Sequence, residues 1–205
     1  MKRLTKFGKR RRKNQSGFAL VEVLISTFVL TIGLCGVLAA LAYAITGTES
    51  AQEDLIARHK ALDAMESIYT ARNSQQLPFA SINNVANGGI FLSGPLPLLC
   101  AGPDGILGTG DDVACTAPDT GAACPGGVEC LVLPGPDGIL GTADDQIMSL
   151  SNFTRTITFN PVSQTINGVT SVNPNLIAVT ITVKYTKANW GSRTYTVNAL
   201  ISSYH

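Results

Sequence analysis

The stretch Gly17-Phe18-Ala19-Leu20-Val21-Glu22-Val23-Leu24-Ile25 decides how the rest of the chain is read. It opens an apolar run that continues to about Ile45, broken by a single carboxylate, Glu22, and by a few small hydroxyl residues. About 20 apolar residues carry a helix across a bilayer, so this run is long enough to span one. Upstream lie eight of the 15 Lys and Arg residues, all before residue 14: Lys2, Arg3, Lys6, Lys9, Arg10, Arg11, Arg12 and Lys13. A basic flank on the N-terminal side predicts that the leader stays in the cytoplasm and the C-terminal body is exported.

Three readings compete for the segment. A cleavable secretory signal would use Ala42-Tyr43-Ala44 as its small-residue site, but the apolar region before it is about twice the usual 7–15 residues. A plain membrane anchor explains the length but not Glu22, because a carboxylate deep in a bilayer helix costs on the order of 2.5–3.5 kcal/mol. The third reading accounts for the carboxylate. Lys13 to Ile25, with Gly17 before Phe18 and Glu22 fifth counting from Phe18, resembles the N-terminal signal of type IV prepilins.

That resemblance implies a sequence of events. A prepilin peptidase cuts between Gly17 and Phe18, and Phe18 becomes the N-methylated terminus. The Glu22 carboxylate then faces the amine of Phe18 in a neighbouring subunit, which offsets part of the desolvation of both charges. The implied partners are other pilin or pseudopilin subunits, the prepilin peptidase, an inner-membrane assembly platform, and membrane lipid before assembly. The implied location is the inner membrane, single-pass with a cytoplasmic N-terminus, and then a periplasmic or cell-surface filament. Major pilins often carry a proline about four turns into the mature helix, and Val37 to Leu41 has none. With Thr31-Ile32-Gly33-Leu34, this resembles minor pilins of the PilV type or the I-type pseudopilins of type II secretion. Such subunits are expected to prime or cap a filament and to catalyse nothing themselves.

The organisation expected is a cleaved leader over 1–17, a transmembrane and filament-core half-helix over 18–45, an amphipathic half-helix over 46–76, and an exported head over 77–205. Within the second half-helix Leu55, Leu62, Met65 and Tyr69 form an apolar stripe flanked by Ala61 and Ile68, opposite Glu53, Asp54, Lys60, Asp63 and Glu66. One helix from Phe18 to Arg72 would reach roughly 80 Å at 1.5 Å per residue. Asn73, Ser74 and Pro78 end it. Residues 79–98 read as irregular loop, with Gly88-Gly89 and Pro95-Leu96-Pro97 as breakers.

The head carries an internal repeat within residues 100–147. Residues 102–112, Gly-Pro-Asp-Gly-Ile-Leu-Gly-Thr-Gly-Asp-Asp, return as residues 135–145, and ten of the eleven positions match. Asp104, Thr109, Asp111 and Asp112 offer oxygen ligands in the first copy, and Asp137, Thr142, Asp144 and Asp145 in the second. A hard cation takes six to eight oxygens from carboxylates and carbonyls, so Ca²⁺ at two sites is one expectation. The EF-hand spacing is absent, and a pair of solvated turns without an ion is the other reading. Fourteen acidic against seven basic residues after Gly17 give the body a charge of −7, which does not favour nucleic acid. Two calcium ions would bring that to −3.

Four of five cysteines, Cys100, Cys115, Cys124 and Cys130, fall within 31 residues. An even cluster in a Gly/Pro-rich stretch predicts two disulfides in an oxidising compartment. Three pairings are open, and the sequential one closes the first loop at its base. Cys35 is expected to be inert in the membrane helix.

After Met148 the pattern turns to period two within residues 150–205. Strands are expected over 153–159, 177–185 and 195–201, mostly antiparallel, with Lys187 to Gly191 as a hairpin loop and Trp190 in it. The fold class expected is therefore α+β and pilin-like: one long N-terminal helix on a small antiparallel sheet, with the disulfide and calcium-loop insertion between. The rival reading is an exported calcium-stabilised adhesion module on a plain anchor. With two histidines in the chain, and neither a Ser/His/Asp nor a Cys/His arrangement evident, a hydrolase is not expected.

Overall fold

Helix α1 (Ser16–Asn73) runs 58 residues without a proline, through Gly33, Gly36 and Gly47. The computed structural model describes residues 16–118, 121–187 and 191–204, and the side chains of 16–19 and 187 lie outside that description. Two units divide the chain, Met1–Ser50 and Ala51–His205, and α1 contributes to both.

In the first unit the helix is apolar enough to cross a membrane, and Leu20 to Ala44 are all exposed. Three hydroxyls in its apolar stretch are satisfied within the helix. Ser26 Oγ donates to the Glu22 carbonyl at 2.7 Å, Thr27 to Leu24 at 3.0 Å and Thr31 to Phe28 at 2.8 Å. Such back-bonding supplies these three hydroxyls with partners where a hydrocarbon surrounding offers none.

In the second unit α1 buries a face made largely of alanine: Ile56, Ala57, Ala61, Ala64, Met65, Ile68 and Ala71. This corrects the expected stripe, since Leu55 and Leu62 are 53% and 40% exposed. Alanine occupies four of these seven buried positions, and the larger leucines are left on the flank.

The sheet opposite is four-stranded, in the order β1 (Leu96–Pro97), β4 (Phe153–Ile166), β5 (Val169–Lys187) and β6 (Gly191–Ser202). All neighbours are antiparallel. Phe153, Ile157 and Phe159 alternate inward on β4, and Val179, Ile181, Val183 and Tyr185 on β5, as a period-two strand with one covered face requires. β4 and β5 extend beyond the expected strands. After a register shift between Pro161 and Ser163 they continue as an arm closed by Asn167 (φ 51°) and Gly168 (φ 80°). Two successive positive φ angles match the twist of a tight hairpin.

A second sheet, β2 (Cys130–Leu133) with β3 (Gln146–Ser149), was not foreseen. The segment 79–98 is short 3₁₀ turns, Phe79–Ser81 and Val85–Asn87, with β1 at its end. It is nevertheless core-forming. Ile82, Phe91 and Leu98 are fully buried, and Asn84 ties it to the sheet by donating to the Ile157 carbonyl at 2.9 Å.

Candidate functional site

Of the residues singled out at the N-terminus, the side chains of Gly17 and Phe18 lie outside the described residues, while their backbone falls within α1. Glu22 is exposed on the helix surface, one turn further on. It stands among Leu20, Val21, Val23, Leu24 and Ile25, each more than half exposed. A charged carboxylate on an otherwise apolar helix surface is stabilised in a dry surrounding when a cation or hydrogen-bond donors are brought to it. Cys35, on the same segment, is a free and exposed thiol. Trp190 and His205 lie outside the described residues.

The two acidic loops fold alike. In the first, Asp104 Oδ1 accepts from the Ile106 N–H at 2.8 Å, and Asp112 Oδ2 accepts from the Gly108 N–H at 2.8 Å. In the second, Asp137 accepts from Ile139 at 2.9 Å, and Asp145 from Gly141 at 2.6 Å. Thr109 donates to Asp111 Oδ1 and Thr142 to Asp144 Oδ1, both at 2.6 Å. These threonine hydroxyls are the chief reason the Asp111 and Asp144 carboxyls titrate below the usual carboxylate value. Burial pushes the Asp112 carboxyl up, against the opposing pull of the Gly108 N–H and the Arg155 charge. The opening glycine of each copy is required, because a Cβ on Gly102 would fall 2.1 Å from the Asp111 carbonyl oxygen and one on Gly135 2.3 Å from Asp144 Oδ2. Among the described residues no group of three or more His, Cys, Asp or Glu side chains is gathered as a metal ion needs.

Both loops are closed at the base. The first is held by a Cys100–Val113 bridge and the Cys100–Cys115 disulfide, the second by the β2–β3 ladder. The Cys124–Cys130 disulfide joins the turn Pro125–Gly127 to the start of β2. Cys115, Cys124 and Cys130 are buried together with Ala117 in a small cluster of their own.

Two polar links escaped sequence reasoning. Lys60 of α1 meets Glu129 at 2.6 Å, and Arg155, only 2% exposed, stands 3.7 Å from the other oxygen of Glu129. Burial pulls the Lys60 ammonium down, but Glu129 and Asp63 more than reverse this and its pKa is raised. Asp54 accepts from the Tyr185 hydroxyl at 2.6 Å and pairs with Arg193 at 3.0 Å. Only the 139-residue separation of Asp54 and Arg193 hid that link, since each residue reads alone as a solvated charge. At the helix end Arg72 donates to the Ser202 and Ser203 carbonyls, and Tyr69 to that of Leu200.

Residues 12–43 match the family model of the prokaryotic N-terminal methylation motif. The match contains Gly17, Phe18 and Glu22 and covers the apolar half of α1, so it supports a type IV pilin-like prepilin. No curated protein and no solved structure matches the chain.

Proposed function

We propose, on the premise of a type IV pilin-like prepilin processed by prepilin peptidase, that this chain is a minor pilin or pseudopilin subunit which primes or joins a filament. The observation that carries the reading is the methylation motif over 12–43 with Glu22 exposed on a membrane-length apolar helix. Support for the minor class comes from the missing proline between Val37 and Leu41, the Thr31-Ile32-Gly33-Leu34 run, and the three-strand C-terminal ending. In this reading the leader 1–17 is removed in the cytoplasm and Phe18 is methylated. The apolar halves of neighbouring helices then cover one another, with Glu22 of one subunit against the Phe18 amine of the next. The chain performs no catalysis; the covalent chemistry at its N-terminus belongs to the peptidase.

The deciding experiment is the intact mass of membrane-extracted protein with and without a co-expressed prepilin peptidase. A mature chain starting at methylated Phe18 only when the peptidase is present is the expected result. An unprocessed chain in both samples would overturn the reading in favour of a plain anchor, and a cut after Ala44 would indicate ordinary secretion. Glu22→Ala is expected to block filament assembly while membrane insertion is kept.

Calcium on the repeated loops is carried as a further proposal, on their oxygen donors alone. Its signature is two calcium ions per chain by elemental analysis and a lower melting temperature in chelator. A metal-free protein with an unchanged melting temperature removes it and leaves the aspartates as caps for the loop N–H groups.

A further inference from the structure

The repeat places one short loop in two environments. In the first copy Ile106 is 3% exposed, and Leu107 packs on the main core with its N–H donated to Ser67 Oγ at 3.3 Å. Gly108 lies against Ile157 so closely that an added Cβ would meet its Cδ1 at 2.6 Å. In the second copy the backbone is matched, with Gly138 and Gly141 at φ 72° and 87° against 69° and 87° for Gly105 and Gly108. Yet Ile139 and Leu140 are 60% and 55% exposed, and nothing stands within 4 Å of a Cβ on Gly141. The first loop therefore demonstrates within this molecule what the Ile-Leu tip does when a surface is available. It enters an apolar seat between helix and sheet, with polar groups at the rim.

We infer that the loop 135–145 is an intermolecular plug, and that Ile139 and Leu140 seat in a groove on a second copy of this chain. The groove is a cavity of about 380 Å³ beside the register shift in β4, with Phe159, Pro161 and Ile177 among its walls and Asn83, Asn160 and Asn173 among its polar residues. Its size falls within the ~300–1,000 Å³ in which ligand-sized groups are seated. No charged residue lines it. On a body with a net charge of −7 after Gly17, it is a place where a loop bearing Asp137, Asp144 and Asp145 meets no carboxylate. Asparagine amides present N–H donors to such carboxylates, and hydrogen bonds to a charged acceptor are the stronger kind.

Plug and groove share no residue, so the contact runs head to tail and repeats in one direction, giving a ring or an open helical array. One loop is a small contact. It gains strength if the same subunits are also held through their apolar helices, because the second contact is then intramolecular in effect. To that extent the inference rests on the filament reading.

The test uses the full chain, co-expressed with prepilin peptidase, in membranes. A photoreactive phenylalanine analogue replaces the exposed Ala143, and light- and heavy-isotope protein are mixed before membrane extraction, illumination and peptide mapping. Mixed-isotope cross-links from residue 143 to the segment 159–177 are expected. Ile139→Ser with Leu140→Ser should cut their yield at least about tenfold, and so should Val172→Asp on the groove side. Cross-links confined to single chains, to another protein, or to the Ser67–Ile157 seat of a second copy would overturn the proposal. The mass of the N-terminus reads the filament premise separately. A processed chain without loop cross-links defeats the plug alone, and an unprocessed chain with them defeats the premise and keeps the plug.

Discussion

Tyr185, 1% exposed on the inner strand β5, donates its hydroxyl to the Asp54 carboxylate of α1 at 2.6 Å. The pair fastens sheet to helix through one short bond to a charged acceptor. Burial first, and then Asp54, push the phenol up to about 12. The unfolded chain ionises this tyrosine near its ordinary value of 10, so the bond's contribution is full below that pH. It is lost as pH rises from about 10 to about 12. Absorbance titration of the phenolates should show one group of late onset that is missing in Tyr185→Phe. The Phe variant should lose about 1.5–3 kcal/mol of stability.

The Lys60–Glu129–Arg155 group joins α1, the segment before Cys130, and β4. Removing the shared carboxylate leaves the buried Arg155 guanidinium without its Glu129 partner and Lys60 with Asp63 alone. Glu129→Gln is therefore expected to cost about 3–5 kcal/mol in denaturant melts. Lys60→Met should cost less, since Glu129 keeps Arg155. The raised lysine pKa gives its contribution a sign: it is complete below the ordinary lysine range and disappears as pH climbs above it.

The twin loops allow a matched comparison. Ile106→Ala empties part of a packed seat and should cost about 2–5 kcal/mol. Ile139→Ala, at the equivalent position in the second loop, should change stability by less than about 0.5 kcal/mol. Equal losses would mean that the second loop also packs on its own chain.

Thiol labelling of unreduced protein unfolded in denaturant should modify Cys35 and leave Cys100, Cys115, Cys124 and Cys130 unreacted. Cys100→Ser with Cys115→Ser, which opens the base of the first loop, should lower stability by about 2–4 kcal/mol.

Much of this architecture was legible from residue patterns. The apolar run, the carboxylate within it and the basic flank act through composition, which a sequence displays directly. The three C-terminal strands announced themselves by period two, because one face of each is covered. What stayed hidden depends on partners distant along the chain. The helix buries Ala57, Ala61 and Ala64 in preference to Leu55 and Leu62, a choice that hydrophobicity alone would not make. Ile82, Phe91 and Leu98 are core residues in a segment with no period at all, because turns carry them inward one by one. The arm beyond Pro161 was missed since both its faces are polar enough to read as loop. In the repeat, ligand-type residues were recognised from the sequence, but their engagement with loop N–H groups was not.

The second acidic loop keeps the shape of the first with its tip exposed, which makes its eleven residues a cassette held from its own base. Carboxylates, one threonine and three fixed glycines hold the turns, and the two apolar residues at the tip are left free of any structural duty. Duplication of such a cassette lets one copy remain locked into the fold while the other accumulates substitutions at its tip without endangering the domain. Substitution at positions 139 and 140 should accordingly change what the domain touches and leave it folded, whereas substitution at 106 and 107 should weaken the fold itself.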